Sequence, residues 1–114
     1  MSPDKSGTTH FWHQRATAIT NVPLVLFLLW FIISHLGAPR ADVVASVQSP
    51  FNAILLVLSF ASILWHMRLG MEMVLEDYVQ DERTLRASLL ANTLFTAAVG
   101  VVALYAIFKM VFGA

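Results

Sequence analysis

A chain of 114 residues that is 58% hydrophobic and 12% charged, with a mean hydropathy of +0.72, has too little polar surface for an ordinary soluble domain and reads as a membrane protein. Seven Lys and Arg balance seven Asp and Glu with no long basic block, which argues against a nucleic-acid partner. The absence of cysteine excludes disulfides, thiolate metal sites and iron–sulfur ligation by this chain, leaving His10, His13, His35 and His66 as the strong soft-metal ligands.

Residues 1–15, MSPDKSGTTHFWHQR, lack the apolar region and cleavage site of a signal peptide. They are expected to form a short polar or interfacial arm, with Phe11 and Trp12 as anchors at the headgroup level. The uncharged stretch Ala16 to Pro39 is long enough to cross a bilayer core, and its helix is expected over about 16–36. Within it Thr17, Thr20 and Asn21 read as interhelical hydrogen-bonding residues, and Pro23 as the site of a kink. GAPRAD, with Gly37 and Pro39, signals a helix stop and turn, and QSPF restarts a helix with Pro50 in its first turn. The second uncharged stretch, Val43 to Met67, leads into a connector without Gly or Pro, LEDYVQDERTLR, so a helix over about 50–79 is expected to run out of the membrane before turning. Ala87 to Phe108 supplies the third, over about 85–111. The expected architecture is therefore all-α, a three-helix transmembrane domain over 16–114 behind the arm. Three spans put Lys5, Arg15, Arg83 and Arg86 on one side and Arg40 and Lys109 on the other, which predicts the N-terminus on the cytoplasmic side.

The second helix carries the chemistry. His66 ends a stretch without Asp, Glu, Lys or Arg, and six charged residues follow by Glu82. At about 100° per residue, Ser59, Ser62, His66, Gly70, Met73 and Asp77 fall within roughly 40° of one line. These are mostly small or polar residues on a helix otherwise built of Leu, Ile, Val and Phe. Gly weakens a helix, and four residues after a histidine it leaves room for a broad flat ring such as a haem held by the imidazole. Close packing against another helix accounts for the same small residues, so both readings stand. His35 lies near the opposite end of its helix and His10 and His13 precede the first helix, so a second axial ligand is expected from another subunit. Arg68 and Glu72 form an i, i+4 pair away from the stripe, and Met67, Met71 and Met73 read as packing residues.

RATAI at 15–19 and SILWHMRLGMEMVLEDYV at 62–79 resemble the small hydrophobic membrane-anchor subunit of succinate dehydrogenase, the D-type b-cytochrome subunit. The similarity lies in an Arg-x-Thr-Ala entry to the first helix, then a His, a Gly four residues on, and an Asp-Tyr pair eleven and twelve residues after the His: here Arg15, Thr17, Ala18, His66, Gly70, Asp77 and Tyr78. The resemblance implies a helical bundle shared with a larger C-type cytochrome b anchor subunit, docked to an iron–sulfur and a flavoprotein subunit. His66 would be an axial ligand of a shared haem b, with Gly70, Ser62 and Arg15 in its pocket and Arg15 toward the propionates. His10 or His13 would assist Arg15. Tyr78, with Asp77 beside it, would bind ubiquinone, and no catalytic residue for succinate oxidation would lie in this chain. The implied membrane is a bacterial inner membrane or the mitochondrial inner membrane, with the N-terminus on the cytoplasmic or matrix side. The anchor of a fumarate reductase or another quinone-linked b-type cytochrome, and a cofactor-free packing or assembly protein, are the alternatives.

Overall fold

The computed structural model describes residues 3–113, apart from the side chains of residues 3–6 and of His10. Four α-helices follow in order: α1 (Pro3–Ser34), α2 (Arg40–Gln48), α3 (Pro50–Tyr78) and α4 (Glu82–Phe108), with a π-helical turn, Lys109–Gly113, ending the chain. No strand occurs among the described residues. Three helical segments, Gly7–Ser34, Pro50–Tyr78 and Glu82–Gly113, are long and apolar enough to cross a membrane. The molecule is 52 Å long, so its ends project beyond a hydrocarbon core of about 30 Å.

Local chemistry explains the element ends. α1 closes at a turn in which Gly37 takes φ = 76°, a left-handed conformation that a side chain would strain. Pro50 occupies the first turn of α3, where its missing N–H costs nothing. Asp81 caps α4, accepting from Thr84 N at 3.0 Å and from Thr84 Oγ1 at 2.6 Å. These two donors, the hydroxyl first and the backbone N–H second, hold the Asp81 carboxyl below its ordinary value of 3.8.

Two boundaries correct the sequence expectation. The arm expected over 1–15 is helical from Pro3 onward and continuous with the first span, and the helix also runs through Pro23 without a break. α2 is an element of its own that the sequence reading merges with the apolar run beginning at Val43. Its nine residues turn Val44 and Val47 into the interior. There they join a core of Phe31, Val47, Leu56 and Ile107 at the end of the molecule remote from His66.

α3 packs along both α1 and α4, whereas α1 and α4 barely touch. The apolar side chains of Ile19, Val22, Leu26, Trp30, Phe95 and Val102 are left outside. Such a surface needs lipid or the apolar helices of another protein to cover it.

Candidate functional site

α1 and α3 run antiparallel, and the small and polar residues of α3 meet α1 rung by rung. Ser59 is fully buried; its Oγ donates to Leu55 O at 2.6 Å and lies 3.4 Å from Leu24 O across the seam. Ser62 Oγ donates to Asn21 Oδ1. His66 Nδ1 lies 2.8 Å from Thr17 Oγ1. At the next rung a Cβ on Gly70 would stand 3.3 Å from Gln14 Nε2. The space that a flat ring is expected to use beside Gly70 is, within this chain, the place of Gln14. α1 thus covers the stripe from Ser59 to Gly70, while Met73 and Asp77 stay exposed.

His35 and His66, both half-buried, differ. His35 uses both ring nitrogens inside the chain: Nδ1 is 2.6 Å from Phe31 O and Nε2 is 2.7 Å from Ser46 Oγ, so it ties α1 to α2. His66 engages Thr17 through Nδ1, and no described residue hydrogen-bonds its Nε2. The ring of His13 is exposed, while its backbone carbonyl accepts from Thr17. The side chain of His10 lies outside the described residues. Among the described residues no group of three or more His, Asp or Glu gathers where a metal could be held by this chain alone.

Toward the charged end of α3 the seam opens into a cleft of about 510 Å³, lined by Phe11, Gln14, Arg15, Met73, Glu76 and Asp77. The Arg15 guanidinium stands 5.2 Å from the centre of the Phe11 ring. Gln14 Oε1 is buried there without a hydrogen-bond partner among the described residues. Asp77 faces this cleft. Tyr78, next in sequence and therefore about 100° round the helix, is 81% exposed at the end of α3. The structure thus brings Arg15 and Asp77 to one cleft, places Ser62 and His66 on successive rungs, and sets Tyr78 about 18 Å along the axis from His66.

Arg68 and Glu72 do pair, at 3.3 Å. Arg68 also donates from Nε to Thr93 Oγ1 at 3.4 Å and lies over Trp65, and its carbonyl accepts from Asn92. It thereby binds α3 to α4. Gln14 and the pairing of Thr17 with His66 escape the sequence reading, although the signal was present: Gln14, Thr17 and Asn21 repeat at three and four residues, matching the α3 stripe.

The family model for the succinate dehydrogenase/fumarate reductase transmembrane subunit matches residues 1–103. The chain belongs to that family. A succinate dehydrogenase membrane anchor subunit of Reclinomonas americana is 35% identical over 83 residues, covering 70% of this chain and 69% of that protein. A succinate dehydrogenase hydrophobic membrane anchor subunit of Rickettsia bellii is 32% identical over 104 residues, covering 91% and 83%, and one of Paracoccus denitrificans is 26% identical over 108 residues, covering 95% and 83%. No solved structure gives a significant match. In this transmembrane subunit His66 and Tyr78 both lie on the central helix α3, and the cleft beside them is shared between α1 and α3.

Proposed function

We propose that the chain is the membrane-anchor subunit of a succinate:ubiquinone oxidoreductase, in which His66 gives one axial ligand to haem b and Tyr78 and Asp77 contribute to the ubiquinone site. The observation carrying this reading is the state of the His66 ring. Its Nδ1 is engaged by Thr17 while Nε2 is engaged by no described residue, unlike His35, which spends both nitrogens on packing. An ionisable residue within a span that keeps one nitrogen in reserve is suited to a ligand. A single imidazole, with no cluster of ligands beside it among the described residues, fits a haem shared between subunits, the second ligand coming from the C-type cytochrome b anchor subunit.

Haem b, when bound, supplies one-electron redox chemistry. Within this chain His66 would hold the iron, and Arg15 would offer a positive charge at the cleft suited to carboxylate side groups. Ser62 and Gly70 complete the pocket by letting α1 lie close beside His66. The exposure of Tyr78 at the end of α3 supports donation from its hydroxyl to a quinone carbonyl at the membrane border, where a lipid-dissolved quinone and water both have access. Asp77 in the neighbouring cleft provides a carboxylate for proton exchange as the quinone is reduced. The covering of the apolar outer faces falls to the partner anchor and lipid. The charged end of α3 faces the iron–sulfur and flavoprotein subunits on the cytoplasmic or matrix side of a bacterial or mitochondrial inner membrane. Succinate oxidation takes place on the flavoprotein, and the anchor passes its electrons to quinone in the tricarboxylic acid cycle and respiratory chain.

The test is His66→Leu in the assembled complex, with membrane insertion followed by immunoblot and haem by the reduced b-type absorbance band. Loss or displacement of the band with insertion intact is expected. An unchanged band removes His66 from the haem site.

A further inference from the structure

We infer that Thr17 is the positioning residue of His66: its hydroxyl oxygen accepts a hydrogen bond from a protonated Nδ1, which fixes the ring in the tautomer that keeps the Nε2 lone pair free for iron. This deepens the haem reading above and rests on it. The inference comes from counting protons around one oxygen. Thr17 Oγ1 has three neighbours within bonding distance: His66 Nδ1 at 2.8 Å, His13 O at 2.9 Å and Gln14 O at 3.0 Å. A hydroxyl has one hydrogen to give and two lone pairs to receive. Both carbonyls can only accept, and threonines in helices habitually donate to the carbonyls three and four residues back. His66 is the one neighbour able to donate. When the Thr17 hydrogen goes to the carbonyls, every contact is satisfied only with the proton on Nδ1, and Nε2 is then unprotonated. The opposite assignment would leave the two carbonyl contacts without a proton and block Nε2 with a hydrogen.

The position of Thr17 is held independently of His66. Asn21, one turn along α1, is bonded to Ser62, and the buried Ser59 lies against Leu24 O one turn further. The seam thus presents the hydroxyl oxygen to the ring before any ligand is bound. An acceptor on the far nitrogen makes an imidazole a stronger electron donor and restrains its rotation, and loss of such partners typically changes metal affinity 10–100-fold. A stronger donor favours ferric over ferrous iron. Removing the acceptor therefore raises the midpoint potential.

The experiment is a redox titration of the b-type band and an electron paramagnetic resonance spectrum of the ferric haem in the intact complex. The variants are Thr17→Val, Thr17→Ser, Thr17→Ala, Thr20→Val and His66→Leu. Thr17→Val keeps the shape and loses the hydroxyl; an upward shift of up to about tenfold in the ferrous-to-ferric ratio is expected, about 59 mV for one electron. Thr17→Ser should restore the wild-type potential, and Thr20→Val, which removes an exposed hydroxyl that donates to Ala16 O within α1, should leave it in place. If the valine variant loses haem altogether, retention in Thr17→Ser with loss in Thr17→Ala supports the assignment, and loss in both overturns it. A wild-type potential and spectrum in Thr17→Val overturns it too, as does an equal shift in Thr20→Val. A band that survives His66→Leu defeats the haem reading itself, whereas a band lost in His66→Leu beside an unaltered Thr17→Val defeats only the role of Thr17.

Discussion

Gly70→Ala and Gly70→Leu separate the spacing of the α1–α3 seam from the chemistry it carries. A Cβ at this position would come 3.3 Å from Gln14 Nε2, closer than ordinary van der Waals contact. The atom it meets is the tip of a flexible side chain, so a few tenths of an ångström of movement by Gln14 relieves the contact. Against that small cost stands the gain in helix propensity from Gly to Ala, about 1 kcal/mol. Gly70→Ala should therefore be neutral or more stable by up to about 1 kcal/mol. Leu adds three further carbons across a closed seam, where overpacking costs about 1–3 kcal/mol. Relief then requires α1 to move away, which also draws Thr17 from His66 one turn along. The expected pattern is a complex that unfolds at lower denaturant concentration with a weakened or displaced haem band in Gly70→Leu, and neither change in Gly70→Ala. Denaturant unfolding of the solubilised complex, followed by the haem band and by circular dichroism, measures both. A leucine variant as stable as wild type with an unchanged band would refute the reasoning, and so would an alanine variant as damaged as the leucine one.

Tyr78→Phe removes one hydroxyl from a side chain that is 81% exposed, so assembly and the haem band should be unaffected. Quinone reduction should slow by the equivalent of about 1–3 kcal/mol while a dye that bypasses the membrane site is reduced at the wild-type rate; equal rates with both acceptors would return Tyr78 to an interfacial role. At the start of α4, the depressed Asp81 pKa means that ionised Asp81 stabilises the folded cap: this contribution is complete above 3.8 and is lost as pH falls through the lower folded value. Exchange protection of the Thr84 amide, corrected for intrinsic rate, should fall over that range in wild type. It should stay flat in Asp81→Asn, which retains a capping acceptor, and be low throughout in Asp81→Ala.

The three spans were legible because a bilayer imposes length and apolarity on every residue that crosses it, and charge ends each run. α2 was not, because Val43, Val44 and Val47 extend an apolar stretch without a charged break, and only tertiary packing turns the nine residues into a separate element. The helical start of α1 at Pro3 was hidden by a polar composition that suits an arm equally well. In the site, the line from Ser59 to Asp77 follows from the 3.6-residue period alone. What covers that line does not, since the period fixes a face and says nothing of the register of its neighbour. Gln14 could be assigned to Gly70, and Thr17 to His66, only once Ser59 and Ser62 had fixed how far α1 is slid along α3.

That register ties close packing to ligand chemistry. A slide of one helical turn, about 5.4 Å, would replace Thr17 opposite His66 by Asn21 or by the neighbourhood of Gln14. Either amide can donate as well as accept, and neither would require the proton to sit on Nδ1. Threonine, whose own hydrogen is already directed to the backbone of α1, imposes that requirement. Ser59, Ser62 and Gly70 thus serve packing and chemistry at once, because the close approach they permit brings the one suitable acceptor to the imidazole. Substitutions at Ser59 or Ser62 that preserve volume but shift the helices should accordingly act on haem through Thr17, although neither serine touches the His66 ring. On the proposed haem reading, the small-residue stripe and His66 are two aspects of one device, in which helix spacing sets which nitrogen of the ring carries the proton.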